Sequence, residues 1–308
     1  MAEISVIIVN WNVRDLLDKC LASLFEAHEL ALEVIVVDCN SQDASVAMAR
    51  DRYPRVKLLP QLENIGFTRG NNLGMAAAAA DTLLLLNPDT EVCKDSLKTM
   101  LAYMQQHQDL GILGPHTLNT DGSHQSTRRR FPTLLTGIFE STWLAKLAPS
   151  SVFDSYFMRD TDDDDILEVD WVQGSALMLR RALFQDIGGL DEGFVMYSEE
   201  LDFCKRAKDA GWKVAYHGRA KIKHHGGKSS EQVAAFKQIH FHSSKLRYFR
   251  KHHGYGHYVL LRALLLAQFA WQLFLEFAKV LLGHKRALRR QRIRTYWQVL
   301  RSGLKAEV

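Results

Sequence analysis

Leu83-Leu84-Leu85-Leu86-Asn87-Pro88-Asp89 decides the fold class. Four leucines in a row, closed by a turn signal, read as a buried strand. Pro88 suits the first central position of a type I turn. The strand then delivers two oxygen-bearing side chains, Asn87 and Asp89, at its carboxyl end. Upstream, residues 4–9 read as another buried strand, ending at Asn10. Val13, Leu16, Leu17, Cys20, Leu21, Leu24 and Phe25 follow at helical spacing. Residues 34–37 form a strand ending at Asp38, with Ser41 as the cap of the next helix, and residues 56–59 a third strand. The alanine-rich stretch 68–80 and residues 95–107 read as helices. Strands alternating with helices predict an α/β, Rossmann-like fold: a mostly parallel sheet with helices on both faces. Ligands of such sheets bind beyond the carboxyl ends of the strands, which singles out Asn10, Asp38 and Asn87.

The chain of 308 residues is 47% apolar and 24% charged, enough for one large core with an appendage and unlike a disordered chain. Its cysteines, at 20, 39, 93 and 204, form no C-x-x-C pair. That argues against a zinc ribbon or thioredoxin motif and fits a reducing compartment. No basic stretch precedes the first apolar run, so the N-terminus reads as a strand rather than a signal peptide, and a cytoplasmic location is expected. The net charge of +4 hides an asymmetry. Residues 229–308 hold 15 Lys and Arg against three Asp and Glu, whereas residues 1–228 hold 24 against 32. A basic C-terminal helical extension thus follows an acidic globule.

The alternation weakens over residues 119–168, which read as a long, partly mobile excursion. Arg128-Arg129-Arg130 has the chemistry to clamp a diphosphate but reads first as a solvated charge run. Asp162–Asp165 reads as a solvated loop, since the glycine and closing glutamate of a calcium loop are missing. Order returns at 169–179 and 216–225, and everything after residue 230 reads as helix.

Four segments carry chemistry. Val36-Val37-Asp38-Cys39-Asn40-Ser41 ends a strand in a carboxylate able to accept hydrogen bonds from a base or ribose, or to cap a helix. Asn64-Ile65-Gly66-Phe67-Thr68-Arg69-Gly70-Asn71-Asn72 opens a helix with residues that suit a phosphate, or ordinary capping. Asn87 and Asp89 offer oxygen to a hard cation such as Mg²⁺. Glu199, Glu200 and Asp202 crowd one helix start. Crowded carboxylates raise one another's pKa, as a general base requires, although acidic residues also favour first turns for the helix dipole alone.

Together with Trp171-Val172-Gln173-Gly174, Gly188-Gly189-Leu190-Asp191-Glu192 and His224-His225-Gly226-Gly227, these segments, in this order, resemble the family-2 glycosyltransferases of the GT-A fold. The rhamnosyltransferase-like bacterial group is the nearest in flavour. The resemblance covers about residues 3–250. It implies that residues 1–116 form the nucleotide-sugar-binding half, with Asn10, Asp38, Asn64, Gly66, Arg69, Asn71, Asn87 and Asp89 at the donor. Residues 117–228 would form the acceptor-binding and catalytic half, and 229–308 the helical extension. Asp38 would contact the base or ribose. Asp89, in the place of an Asp-x-Asp motif, and His224, with His225 as the alternative, would hold Mg²⁺ or Mn²⁺. Trp171, Gln173 and Gly174 would line the sugar and acceptor pocket, and Glu200, beside Glu199 and Asp202, would be the base. Three positions depart from the family pattern: Asp38-Cys39-Asn40-Ser41 replaces Asp-Asn-Gly-Ser, Asn87 opens the metal motif, and Glu200 stands where aspartate is usual, moving the carboxylate by roughly 1.5 Å.

The function implied is inverting transfer of a sugar from a nucleotide-sugar to a hydroxyl of a glycan or lipid-linked glycan, with dTDP-rhamnose the favoured donor and UDP-sugars next. A sugar-phosphate nucleotidylyltransferase would need a glycine-rich loop after the first strand, where Asn10-Trp11-Asn12-Val13-Arg14-Asp15 has no glycine. A non-catalytic sugar-nucleotide binder is motivated by Asn87 and Glu200. The apolar run 263–275 is too short to span a bilayer. Followed by the basic segment 285–294, it reads as a surface for an anionic membrane at its inner face, or as an internal packing or homo-oligomer face. No nucleic-acid motif accompanies the charge.

Overall fold

The computed structural model describes residues 2–26, 30–140, 142–226, 234–283 and 285–305. Gly227 and the boundary expected at 228/229 lie outside them. The chain runs β1 (Ile4–Asn10), α1 (Arg14–Glu26), β2 (Leu32–Asp38), α2 (Ser45–Arg52), β3 (Lys57–Pro60), α3 (Gly66–Ala77), β4 (Thr82–Leu86), β5 (Thr90–Val92), α4 (Ser96–Gln106) and β6 (Leu110–Leu118). Next come β7 (His124–Gln125), β8 (Arg128–Arg129), α5 (Leu134–Phe139), a 3₁₀ turn (Trp143–Leu147), α6 (Ser150–Tyr156), β9 (Ile166–Glu168), β10 (Trp171–Val172) and β11 (Ala176–Arg180). They are followed by α7 (Arg181–Ile187), α8 (Glu199–Asp209), β12 (Lys213–His224), α9 (Ala234–His253), α10 (Tyr255–Leu281) and α11 (Arg286–Ser302). Two compact units result: Met1–Phe131 with Phe157–Glu192 and Glu199–Ser229, and Pro132–Tyr156 with Gly193–Ser198 and Ser230–Val308.

The first unit is built on one sheet, in the order β3-β2-β1-β4-β11-β6-β12-β5. From β3 to β4 it is parallel, as the alternation predicts. β11 then enters antiparallel to both β4 and β6, and β5 antiparallel to β12, so the whole sheet is mixed. Ile4, Val6 and Ile8 of β1 pack with Leu17, Leu21 and Leu24 of α1 and with Leu97 and Met100 of α4 in one core. On the other face α3 lies directly on β1. A Cβ at position 74 would sit 2.3 Å from Ile7 Cγ2, so only glycine permits that approach.

Register carries function here. Asn10 pairs with Asp38 across β1 and β2, and β11 begins at Ala176 opposite Leu86, the last residue of β4. The ends of β2, β1 and β4 and the start of β11 therefore share one edge.

Two local expectations are corrected. Ser41 caps no helix: α2 starts at Ser45 behind Ala44, which makes no side-chain cap, and Ser41 Oγ accepts from Asn12 N at 2.9 Å. The arginine run is not a solvated one. Arg128 and Arg129 are buried, and Arg128 donates to Asp163 at 2.8 Å and lies over the Tyr216 ring. Only Arg130 is exposed. Their short strand β8 pairs with β10, which converts a stretch read as excursion into a second, two-stranded sheet.

In the second unit α9, α10 and α11 pack on one another and α5 packs on α10. One side of α10 buries Tyr258, Leu261, Leu265, Gln268, Phe269 and Glu276, with Glu276 accepting from Arg289 at 2.8 Å. The opposite side leaves Leu260, Leu264, Trp271, Phe274 and Leu281 exposed. The polar residues that interrupt the apolar run thus gather on the packed side. At 27 residues, with a mean hydropathy of 1.6 over its best 18, α10 is by length and composition long and apolar enough to cross a membrane, contrary to the reading from residues 263–275 alone; 33% of that window is buried.

Candidate active site

The carboxyl edge of the parallel strands carries Asn10, Asp38 and Asn87. Asp38, 2% exposed, accepts from Asn10 Nδ2 at 2.8 Å and from Ser41 N at 2.9 Å, so the strand-end carboxylate is held rigid. Beside it β4 ends, and the turn through Asn87 and Asp89 is fixed by its backbone: Asn87 N donates to Ser175 O at 3.0 Å, and Thr90 Oγ1 donates to Asn87 O at 2.7 Å.

Asp89 is buried, and His224 at the end of β12 brings Nε2 to 3.3 Å from its carboxylate. The other ring nitrogen, Nδ1, lies 2.7 Å from Gln125 Oε1. An amide oxygen only accepts, so Nδ1 donates to it, and Nε2 is the nitrogen left to face Asp89. Metal-binding histidines are oriented in this way by an outer partner. His225 is engaged elsewhere: its N–H donates to Asp89 O at 2.8 Å and its Nε2 lies 2.6 Å from Glu91. The carboxylate and imidazole at this point are a donor pair that fits a divalent cation such as Mg²⁺ or Mn²⁺.

α8 supplies the carboxylates. The two residues before it, Tyr197 and Ser198, both have positive φ, at 70° and 65°, a strained entry for non-glycine residues. Glu199 is buried and Glu200 half-buried. Gly174 N donates to Glu200 Oε1 at 3.4 Å, which joins the Gln173-Gly174 turn to the helix start. Burial, and then the charge of Glu200, pushes the Glu199 carboxyl well above its usual range; burial raises Glu200 as well, partly opposed by backbone N–H donors and by Arg129. Asp202 is committed differently. It is fully buried and ion-paired with Arg206 at 2.9 Å, and Arg206 also donates to the carbonyls of Ile187 and Gly189.

Buried polar atoms normally find partners. In this unit seven buried side-chain atoms have none among the described residues, and five belong to the edge: Asn10 Oδ1, Asn87 Oδ1, Ser175 Oγ, Glu199 Oε2 and Glu200 Oε2. Leaving such a group unmatched costs about 1–3 kcal/mol, so a polar ligand is what this edge is shaped to take.

Other sequence candidates are occupied by the protein. Asn64 Oδ1 accepts from Gly66 N at 2.9 Å, and Asn71, buried, donates to Phe67 O at 3.0 Å within its own helix. Arg69 pairs with Glu192 at 3.2 Å, and Asn72 exchanges hydrogen bonds with Leu190. The segment thereby holds the Gly188–Glu192 loop. Trp171 is buried, donates to Arg130 O at 2.9 Å and lies against the Arg129 guanidinium.

Sequence reading missed Gln125 and a second cluster. Ligand atoms of His116, His124 and Asp163 lie within 4.8 Å of one another. His116 Nδ1 faces Gly218 O at 3.1 Å, so its Nε2 accepts from His124 Nδ1 at 2.9 Å. A Cβ at position 218 would lie 2.4 Å from Asp163 O, so glycine admits this loop. Burial lowers the His124 pKa, and Arg128 already answers the Asp163 charge. No spacing signal joins these residues, because β7 and the Asp163 loop meet only through β6 and β12.

Residues 5–188 match the family described as Glycosyl transferase family 2. Over 260 residues the chain is 29% identical to the N-acetylglucosaminyl-diphospho-decaprenol L-rhamnosyltransferase of Mycobacterium tuberculosis, covering 81% of this chain and 84% of that protein. Over 255 residues it is 26% identical to rhamnosyltransferase WbbL of Escherichia coli K12, covering 80% and 86%. The mannosyltransferase PcManGT from Pyrobaculum calidifontis, solved with GDP-Man and Mn²⁺, shares the fold with a TM-score of 0.58 at 15% identity, over 99% of this chain and 85% of that one. With a GT-A-like sheet, a C-terminal helical extension and a family match over more than half its length, the chain belongs to glycosyl transferase family 2.

Proposed function

We propose that the protein is an inverting, metal-dependent rhamnosyltransferase that moves rhamnose from dTDP-rhamnose to a hydroxyl of a lipid-linked glycan at the inner face of the cytoplasmic membrane. The observation that carries this reading is the concentration of unmatched buried oxygens at the carboxyl edge of the sheet, between Asp38 and Asp89 on one side and Glu200 on the other. The relatives' names supply the sugar and the lipid-linked acceptor.

Asp38 and Asn10 would receive the nucleoside. Asp89 and His224, with Asn87 beside them, would hold Mg²⁺ or Mn²⁺, whose positive charge offsets that of a leaving diphosphate. Glu200 would accept the proton of the acceptor hydroxyl as it attacks the anomeric carbon, and its raised pKa suits that task. Trp171, Gln173 and Gly174 would line the acceptor side. A single base without a separate nucleophile implies one displacement and inversion.

The tail supports the membrane part. On α11, Arg286, Arg290, Arg294, Trp297 and Arg301 recur every three or four residues and are all exposed, so they form one stripe. Together with the exposed apolar side of α10 this is the composition of an interfacial surface. The deciding experiment incubates the full chain with dTDP-rhamnose, Mg²⁺ and N-acetylglucosaminyl-diphospho-polyprenol, and reads the product mass and anomeric configuration. Failure with this donor, and transfer from a UDP-sugar instead, would reassign the sugar while leaving the catalytic roles.

A further inference from the structure

We infer that the second unit carries a dedicated groove for the isoprenoid chain of the acceptor, opening onto its membrane-facing surface. The inference rests on the lipid-linked acceptor proposed above. Between the 3₁₀ turn and α10 lies a cavity of about 500 Å³. That is inside the range of about 300–1,000 Å³ over which pockets bury most of a small molecule. Its walls are Ile138, Trp143, Leu261, Leu264, Leu265 and Trp271, with Thr142 and Gln268 among the few polar contributors.

Three observations choose the occupant. First, the walls are mostly branched aliphatic and indole side chains, which pack against methyl-branched hydrocarbon, and they include no cationic group for a phosphate. Second, Trp143 and Trp271, each 52% exposed, stand at the groove, and Trp271 also belongs to the exposed side of α10. The groove is thus continuous with the surface that would meet lipid, and tryptophan is the residue of the lipid–water boundary. Third, the same helical unit carries the exposed arginine stripe of α11, which complements a diphosphate on an isoprenoid chain. Packing within this unit does not account for the feature: Leu261 and Leu265 are buried, yet Leu264 and Ala267, on the groove side of the same helix, remain exposed.

A chain held along α10 would select polyprenyl carriers over soluble glycans of the same sugar.

The test uses the full chain and a diazirine-tagged geranylgeranyl diphosphate. Photolabelling is expected to map to the peptide containing Leu261, Leu264 and Trp271 and to that containing Trp143. Ala267→Trp, which adds bulk at an exposed lining position, should reduce labelling at least about tenfold. Leu264→Trp, also partly exposed, should do the same, and circular dichroism melting verifies that both are folded. Labelling elsewhere, undiminished labelling of both variants, or equal displacement of the probe by palmitoyl-lysophospholipid would overturn the isoprenoid groove. Transfer to a polyprenyl-linked sugar at the wild-type KM by Ala267→Trp would overturn it too, while leaving the acceptor reading in place. A wild type labelled in the groove that glycosylates no polyprenyl-linked sugar would support the groove and sink the acceptor reading.

Discussion

The carboxyl edge of the sheet and the outer side of α10 break the usual rules of burial in opposite directions. At the edge, Glu199 and Asp89 are buried and acidic, and several oxygens lack partners. On α10, Phe274 is 61% exposed and Trp271 and Leu264 share its side. Each large apolar side chain left in water forgoes roughly 1.5–3 kcal/mol of burial, and each unmatched buried polar atom costs about as much. A soluble fold selected for stability alone would exchange the two compositions. Places where local rules fail are where function is expected, and the sign of the failure tells which kind: buried polarity calls for a polar small molecule, exposed apolarity for a surface.

The contrast is broken most severely at Asp89. Asp89→Ala should lower transfer by about 10³-fold or more, the scale of losing a central electrostatic element, and EDTA should do the same to the wild type; full activity in chelator would end the metal role of Asp89 and His224 together. Glu200→Gln keeps shape and removes the proton acceptor, so turnover should fall by about 10²–10⁴-fold while donor binding, read by calorimetry, barely changes. A crippled Glu199→Gln beside an active Glu200→Gln would move the base by one residue. On the other surface, replacing Arg286, Arg290 and Arg294 with Gln should weaken flotation with anionic liposomes by about 10²-fold, at on the order of 1 kcal/mol for each arginine, and raised salt should mimic it.

Smaller effects sharpen the comparison. Gln125→Leu leaves the Asp89 carboxylate in place but frees the His224 tautomer, so Mn²⁺ affinity measured by electron paramagnetic resonance should drop by about 10–100-fold, as for other outer partners. Glu199→Gln should raise the melting temperature by a few degrees, measured in EDTA. The sign follows from the raised pKa. The folded state holds the proton more tightly than the unfolded one, so stability falls as pH rises through the unfolded value near about 4.3 toward the folded one. The gain should therefore be largest at pH 8 and fade below about pH 4; an equal gain at both would reject the linkage.

Much of this arrangement is legible in the chain, and unevenly so. Residues 82–86 read as a strand because so short a leucine run, closed by an Asn-Pro turn, is too brief for a helix, and Asp38 and Asn87 follow from where strands stop. The order of motifs then singles out Glu200 and His224, though no local pattern would. What stayed hidden depends on tertiary pairing. Arg128 looks solvated until Asp163 and Tyr216 are placed against it, 35 residues or more away in sequence, and Arg129 until Trp171 is. Ser41 looks like a cap because capping chemistry and an Asp38 turn use the same residue types. Gln125 has no signature at all, since any amide at that point of β7 would read the same. The exposed side of α10 is invisible to an average over the run, because the average does not say which residues face inward.

The antiparallel entry of β11 has a consequence for synthesis. β4 needs β11 to close its second edge, and β11 is made about 90 residues later. At roughly 5–20 residues per second on the ribosome, an unbroken leucine strand stays one-sided for on the order of 5–20 s. During that interval residues 82–86 form a flat apolar edge of the kind that recruits foreign strands. The nascent chain is therefore most open to mispairing at the strand that leads into Asn87 and Asp89, and the segment from Thr90 to Ser175 sets how long that exposure lasts.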